Sequence, residues 1–163
     1  MNDWHRRATV PELLSGYART LAELRSRGVV RTNNAPAGDY AEWLVASAFD
    51  GTLADDLSSK SYDLTLPDGR QVQVKARVVS QPPSPGQTQT SPFRSWDFDL
   101  AALVLLRAAD YVPTLCVLVP VATVKEHARH RPHVNGHVVF IRPPLTTAPD
   151  AEDVTAQLVE AAR

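Results

Sequence analysis

The residues of this chain best suited to chemistry are Asp63, Gln73 and Lys75, in the stretch S-Y-D-L-T-L-P-D-G-R-Q-V-Q-V-K-A-R from Ser61 to Arg77. A carboxylate, an amide and an ammonium side by side are the groups a metal-assisted phosphodiester hydrolysis requires. Their spacing predicts that they meet. Leu66-Pro67-Asp68-Gly69 fits a type I turn, with proline presetting φ at the first central position and Gly69 supplying the positive φ that closes a three-residue hairpin loop. If Leu66 pairs with Arg70, Asp63 falls opposite Gln73, and the two-residue period puts Asp63, Thr65, Gln73, Lys75 and Arg77 on one face. Tyr62, Leu64, Leu66, Val72, Val74 and Ala76 occupy the other. Turn chemistry and hydrophobic alternation thus select the same register.

The elements that must position these groups are read from the rest of the chain. At 163 residues, 44% hydrophobic and 21% charged, it has the material for one globular domain with a full core. A net charge of −1 gives no global attraction to nucleic acid or to an anionic membrane. From Leu57 to Ser95, however, Lys60, Arg70, Lys75, Arg77 and Arg94 oppose only Asp63 and Asp68, so the hairpin region is basic. The single cysteine, Cys116, excludes an intrachain disulfide and a cysteine-based structural zinc site. The N-terminus lacks an apolar signal core and the most apolar run, Leu100 to Leu106, stops at Arg107, so a soluble cytoplasmic protein without membrane contact is expected.

Thr9-Val10-Pro11-Glu12 has the spacing of a capping box and opens a helix whose apolar stripe is Leu13, Leu14, Tyr17, Leu21 and Leu24. Residues 1–30 form a helical N-terminal extension. Arg31 to Ala37 reads as a linker, and a second, largely buried helix runs from about Asp39 to Phe49. Gly51 to Ala54 is of short-strand length. Residues 78–95, with Pro82, Pro83, Pro85 and Pro92, resist helix and central strand and read as a long flexible loop. Leu100–Leu106 and Leu115–Val119 have the length and apolarity of buried strands. A short helix over Val121–Arg129, a strand over Val138–Ile141 and a closing helix over Asp150–Ala162 complete a mixed α/β (α+β) domain, a central sheet flanked by helices.

Gly38-Asp39-Tyr40-Ala41-Glu42 on a helix, then Asp63, then Gln73-Val74-Lys75 after a hairpin, resembles the PD-(D/E)xK nuclease superfamily with its restriction endonuclease-like fold. The Q-x-K form is similar to that of Mrr-type restriction enzymes, which also carry a helix glutamate ahead of the aspartate. The resemblance covers Gly38 to Arg77 and places the nuclease-like core at residues 38–142. It implies that Asp63 is the principal metal-binding carboxylate and Glu42 a second one. Gln73 and the Val74 carbonyl would complete the protein ligands, and Lys75 would act on the attacking water and the phosphate charge. The implied cofactor is Mg²⁺, or Mn²⁺ in its place. Gln73 stands where most members have a carboxylate, which removes one formal negative charge, and the proline-rich segment stands where they usually have a helix.

The function implied is a metal-dependent DNA endonuclease of defence, restriction or repair. The alternative is a nuclease-fold DNA-binding module without cleavage, or a protein-interaction component of a defence system. Cutting both strands calls for a dimer or two binding events; a homodimer is the candidate assembly, with the Val10–Arg27 helix as its candidate contact. Lys60, Ser59, Arg77 and Arg94 are candidate phosphate contacts. The same residues also admit plain structural roles. Glu42, three residues after Asp39, has capping-box spacing, and Asp63 with Lys75 could form an exposed cross-strand ion pair, of ~0.2–1 kcal/mol. Asp97 and Asp99, at the start of a strand, could help to bind a metal but better suit a strand-terminal turn. His127, His130, His133 and His137 read as a solvated helix end, or at most a pH-sensitive or phosphate-contacting patch, rather than a metal site, and Trp4, Trp43 and Trp96 as packing residues.

Overall fold

The computed structural model describes residues 3–31, 35–55 and 61–163. Its elements in chain order are α1 (Trp4–Arg7), α2 (Val10–Ser26), α3 (Ala37–Phe49), β1 (Thr52–Leu53), β2 (Leu64–Thr65), β3 (Gln71–Val79), β4 (Leu100–Arg107), β5 (Pro113–Pro120), α4 (Val121–His127), β6 (Arg129–Arg131), β7 (Gly136–Val138), β8 (Glu152–Asp153) and α5 (Thr155–Ala161). Six strands form a mixed sheet in the order β1-β2-β3-β4-β5-β8; β3 and β4 are parallel and the other neighbours antiparallel. β6 and β7 form a separate antiparallel ribbon. Among the described residues no helix is long and apolar enough to cross a membrane.

Every residue of β4 from Leu100 to Leu106 is buried, because the sheet is covered on both faces. One face packs Ala41, Leu44 and Val45 of α3 and Leu158 of α5 against Leu64, Val72, Val74, Ala102 and Val104. The other packs Phe93, Phe98, Val124, Val139, Ile141 and Leu145 against Ala101, Leu103, Leu105, Val117 and Val119. Parallel pairing of Gln73 with Ala101, Lys75 with Leu103 and Arg77 with Leu105 places the polar residues of β3 on this second face.

The hairpin has the register its turn chemistry predicts. Leu64 pairs with Val72 and Thr65 with Gln71, the Leu66 N–H donates to the Arg70 carbonyl at 2.8 Å, and Gly69 sits at φ 90°. The capping box at α2 is also formed, with the Thr9 N–H 2.7 Å from Glu12 Oε2.

Other boundaries differ from the sequence expectation, each for a tertiary reason. β3 continues to Val79, two residues into the segment read as loop, since Val78 and Val79 pair with Leu106 and Arg107. The proline-rich segment makes the crossover to β4 with one 3-10 turn (Pro85–Thr88) in place of a helix, and it pairs through Gln89 with Phe140 and through Phe93 with His137. The expected helix from Asp150 begins only at Thr155, because Glu152 and Asp153 pair with Leu118 and Val117 at the sheet edge. The strand expected over Val138–Ile141 instead occupies Gly136–Val138, opposite Arg129–Arg131.

Candidate active site

Asp63 lies just ahead of β2, opposite Gln73. Its Oδ2 accepts two hydrogen bonds, from Gln73 Nε2 at 2.8 Å and from the backbone N–H of Val74 at 2.7 Å. These donors fix one carboxylate oxygen and leave Oδ1 without a hydrogen bond from any described residue. A strand residue turns its N–H and C=O toward the same neighbour, so the Val74 carbonyl faces the edge that Asp63 occupies. Burial raises the proton affinity of Asp63; the Val74 N–H, and the charges of Lys75 and Arg31, work against it.

Lys75 is half-buried on the same strand face. Its Nζ donates to the Pro92 carbonyl at 3.0 Å and to Ser91 Oγ at 3.2 Å, and stands 5.0 Å from the centroid of the Phe93 ring. Burial lowers its pKa, Asp63 and Glu42 raise it, and Arg94 lowers it further. The cross-strand ion pair with Asp63 is therefore not formed: Lys75 is held by the crossover segment and acts on Asp63 only through space.

Glu42 comes from α3, which packs on the opposite face of the sheet. Its side chain is 17% exposed, and its carboxyl is pushed up to about 7, first by burial and next by the negative charge of Asp63. Arg31 Nη2 donates to Glu42 Oε2 at 3.0 Å and lowers it in part, while Nη1 donates to the Ala54 carbonyl at 2.7 Å. Ala54 in turn donates its N–H to the carbonyl of Asp63 at 2.8 Å, so Arg31 ties α3 to the hairpin. The capping-box reading of Glu42 fails, because α3 starts at Ala37 after Pro36 with no side-chain cap, and Asp39 Oδ2 accepts from the Arg31 N–H at 2.9 Å.

The structure thus brings Glu42, Asp63, Gln73, Val74 and Lys75 to one place. Arg94 is exposed within electrostatic reach of Lys75, and Arg77 is turned to the Gln87 carbonyl at 3.1 Å. Ser59 and Lys60 lie outside the described residues. Asp97 and Asp99 have the structural roles expected: Asp97 bonds Ser95, and Asp99 Oδ2 accepts the Gln71 N–H at 2.8 Å. Sequence reading missed Arg31, placed in a linker, and the Ser91-Pro92 clamp on Lys75. A half-buried arginine outside the motif carries no local signal.

No protein-family model matches this sequence, and no curated protein matches it either. Among the described residues no three His, Cys, Asp or Glu side chains form a metal-ligating group. The donors present are two carboxylates, an amide oxygen and a backbone carbonyl, an all-oxygen set with the one or two carboxylates that Mg²⁺ typically takes from a protein. Two neighbouring carboxylates, each raised in proton affinity, are also what a cation between them would stabilise in ionised form.

Proposed function

We propose that this chain is a divalent-metal-dependent DNA endonuclease with a restriction endonuclease-like fold, acting in defence, restriction or repair. The observation that carries the reading is the meeting of Asp63, fixed by Gln73 and Val74, with Glu42 from across the sheet and Lys75 from the same strand. The order of elements supports it: a helix bearing a glutamate, three antiparallel strands, then a strand parallel to the third.

Mg²⁺ or Mn²⁺ would be held by Asp63 and Glu42, with Gln73 and the Val74 carbonyl as neutral oxygen ligands. When bound, the ion supplies Lewis-acid stabilisation of phosphate charge and a more acidic water. The chain's own residues do the rest. Gln73 and the Val74 N–H orient Asp63, so its free oxygen needs no reorganisation on binding. Ser91 and Pro92 hold the Lys75 ammonium on the strand face, where it donates to a phosphate oxygen and offsets the charge that develops there. Arg94 and Arg77 add positive potential along the same edge. A homodimer would supply the second site for cutting a duplex.

The test is cleavage of supercoiled, linear and single-stranded DNA with Mg²⁺ or Mn²⁺ by the wild type beside Asp63→Ala and Lys75→Ala. Metal-dependent cleavage lost in both variants supports the reading; cleavage that survives Asp63→Ala, or its absence on every substrate without calorimetric metal binding, ends it. One observation favours a second reading, a DNA-binding or protein-interaction module without cleavage: Arg31 already neutralises Glu42 at 3.0 Å. Salt-sensitive DNA binding with no metal uptake identifies the binding module.

A further inference from the structure

Between Lys125 and Arg142 the chain carries Lys125, Arg129, Arg131, Arg142 and four histidines against one acid, Glu126, in a protein of net charge −1. None of those four cations forms an ion pair among the described residues, whereas Arg6, Arg27, Arg31, Arg70, Arg107 and Arg163 all do. Aromatic rings hold three of them instead. Arg129 and Arg142 lie 6.0 and 4.6 Å from the centroid of Phe140, and Lys125 lies 6.0 Å from that of Trp96. A guanidinium on a ring is restrained yet keeps its donors for another group, so these charges are positioned but uncompensated.

This surface runs into the candidate site through a chain of rings. His130 and His137 face each other across the β6–β7 ribbon with centroids 5.0 Å apart, His137 is 5.4 Å from Trp96, and Trp96 stacks on Phe93 at 5.3 Å. Phe93 lies beneath Lys75 and exchanges both backbone hydrogen bonds with His137, at 2.7 and 2.9 Å. The ribbon is therefore hydrogen-bonded directly to the segment that clamps Lys75.

We infer that the surface of α4, the β6–β7 ribbon and Arg142 binds the phosphate backbone of duplex DNA flanking the bond presented to Lys75. The inference rests on the DNA-directed part of the reading above. An unpaired, ring-held row of cations continuous with a phosphate-directed ammonium complements a regularly spaced polyanion, and backbone contacts of this kind set register without reading sequence.

The test is fluorescence anisotropy of a labelled duplex in chelator across a salt series. It compares wild type, Lys125→Gln/Arg129→Gln/Arg142→Gln, and a control of equal charge change, Arg6→Gln/Arg7→Gln/Arg19→Gln. All six side chains are exposed, and matched thermal melting verifies folding. The expected result is at least a tenfold loss of affinity in the first variant only, with the slope of log K against log salt reduced by roughly two to three, about 0.9 for each phosphate that is no longer neutralised. An unchanged slope in that variant, an equal loss in the control, or no duplex binding by wild type at low salt overturns the inference. Metal-dependent, Asp63-dependent cleavage is judged separately: its absence alongside the expected slopes sinks the nuclease reading and supports this surface.

Discussion

The backbone N–H of Val74 donates to Asp63 Oδ2 at 2.7 Å, so the residue between Gln73 and Lys75 fixes the carboxylate that both side chains serve. The central residue of the Q-x-K strand contributes its main chain, which explains why its side chain is free to pack in the core at 7% exposure.

Asp63 is the first position to test. Asp63→Asn keeps an oxygen for Val74 but removes the charge, and on the proposed nuclease reading metal-dependent cleavage falls by about 10²-fold or more, as for loss of a group that stabilises transition-state charge. Gln73→Glu places a second carboxylate 2.8 Å from the first in place of a donor. Its melting temperature drops in chelator, and millimolar Mg²⁺ recovers more of it than in wild type.

Glu42 gives a pH signature. Its carboxyl is raised from the ordinary 4.5 to about 7, so between those values the native state holds a proton that the unfolded chain has released. Stability therefore falls as pH rises from about 4.5 to about 7, by on the order of 2–3 kcal/mol from this group. Urea unfolding in chelator at pH 5 and pH 8 measures it, and Glu42→Gln removes most of the slope. On the proposed nuclease reading, cleavage rises through the same window, since the ionised carboxylate is the form that would bind a cation.

Arg31→Gln leaves Glu42 buried beside Asp63 without its counter-ion. The cost is roughly 1–3 kcal/mol and is greater at pH 8, where Glu42 is ionised, than at pH 5.5, where it is protonated. Equal costs at both pH values would show that Arg31 acts through the Ala54 carbonyl rather than through the charge.

Gly136 lets the ribbon lie directly on the clamp segment. A Cβ there would stand 2.7 Å from Pro92 Cβ and 2.9 Å from the Phe93 carbonyl oxygen, backbone that cannot yield without moving Lys75. Gly136→Ala costs about 1–3 kcal/mol by overpacking and lowers cleavage at saturating DNA. Gly86→Ala, whose Cβ meets nothing within 4 Å, is the control and leaves both unchanged.

Cys116 is buried on β5, and burial pushes its thiol well above the usual cysteine range. Thiol reagents therefore label it only through opening of the sheet, and the labelling rate at pH 8 rises as global stability falls across the variants. Fast labelling of the native protein would contradict the packing of α5 on β5.

The sequence by itself determined the hairpin. Leu66-Pro67-Asp68-Gly69 sets a loop of defined length, alternation sets the faces, and together they put Asp63 opposite Gln73 with Lys75 alongside, all within one short stretch of chain. It also determined the buried β4, whose unbroken apolar run has no other stable place than between two covered faces. Tertiary structure decided what these residues touch. Lys75 is held by Ser91 and Pro92 across sixteen and seventeen residues, and Glu42 meets Arg31 across eleven. The approach of Gly136 to Phe93 spans more still. Such contacts depend on which elements pack face to face, and no local propensity encodes that. The same cause shortened α5, because Glu152 and Asp153 gain strand partners on β5 that an isolated segment would not have.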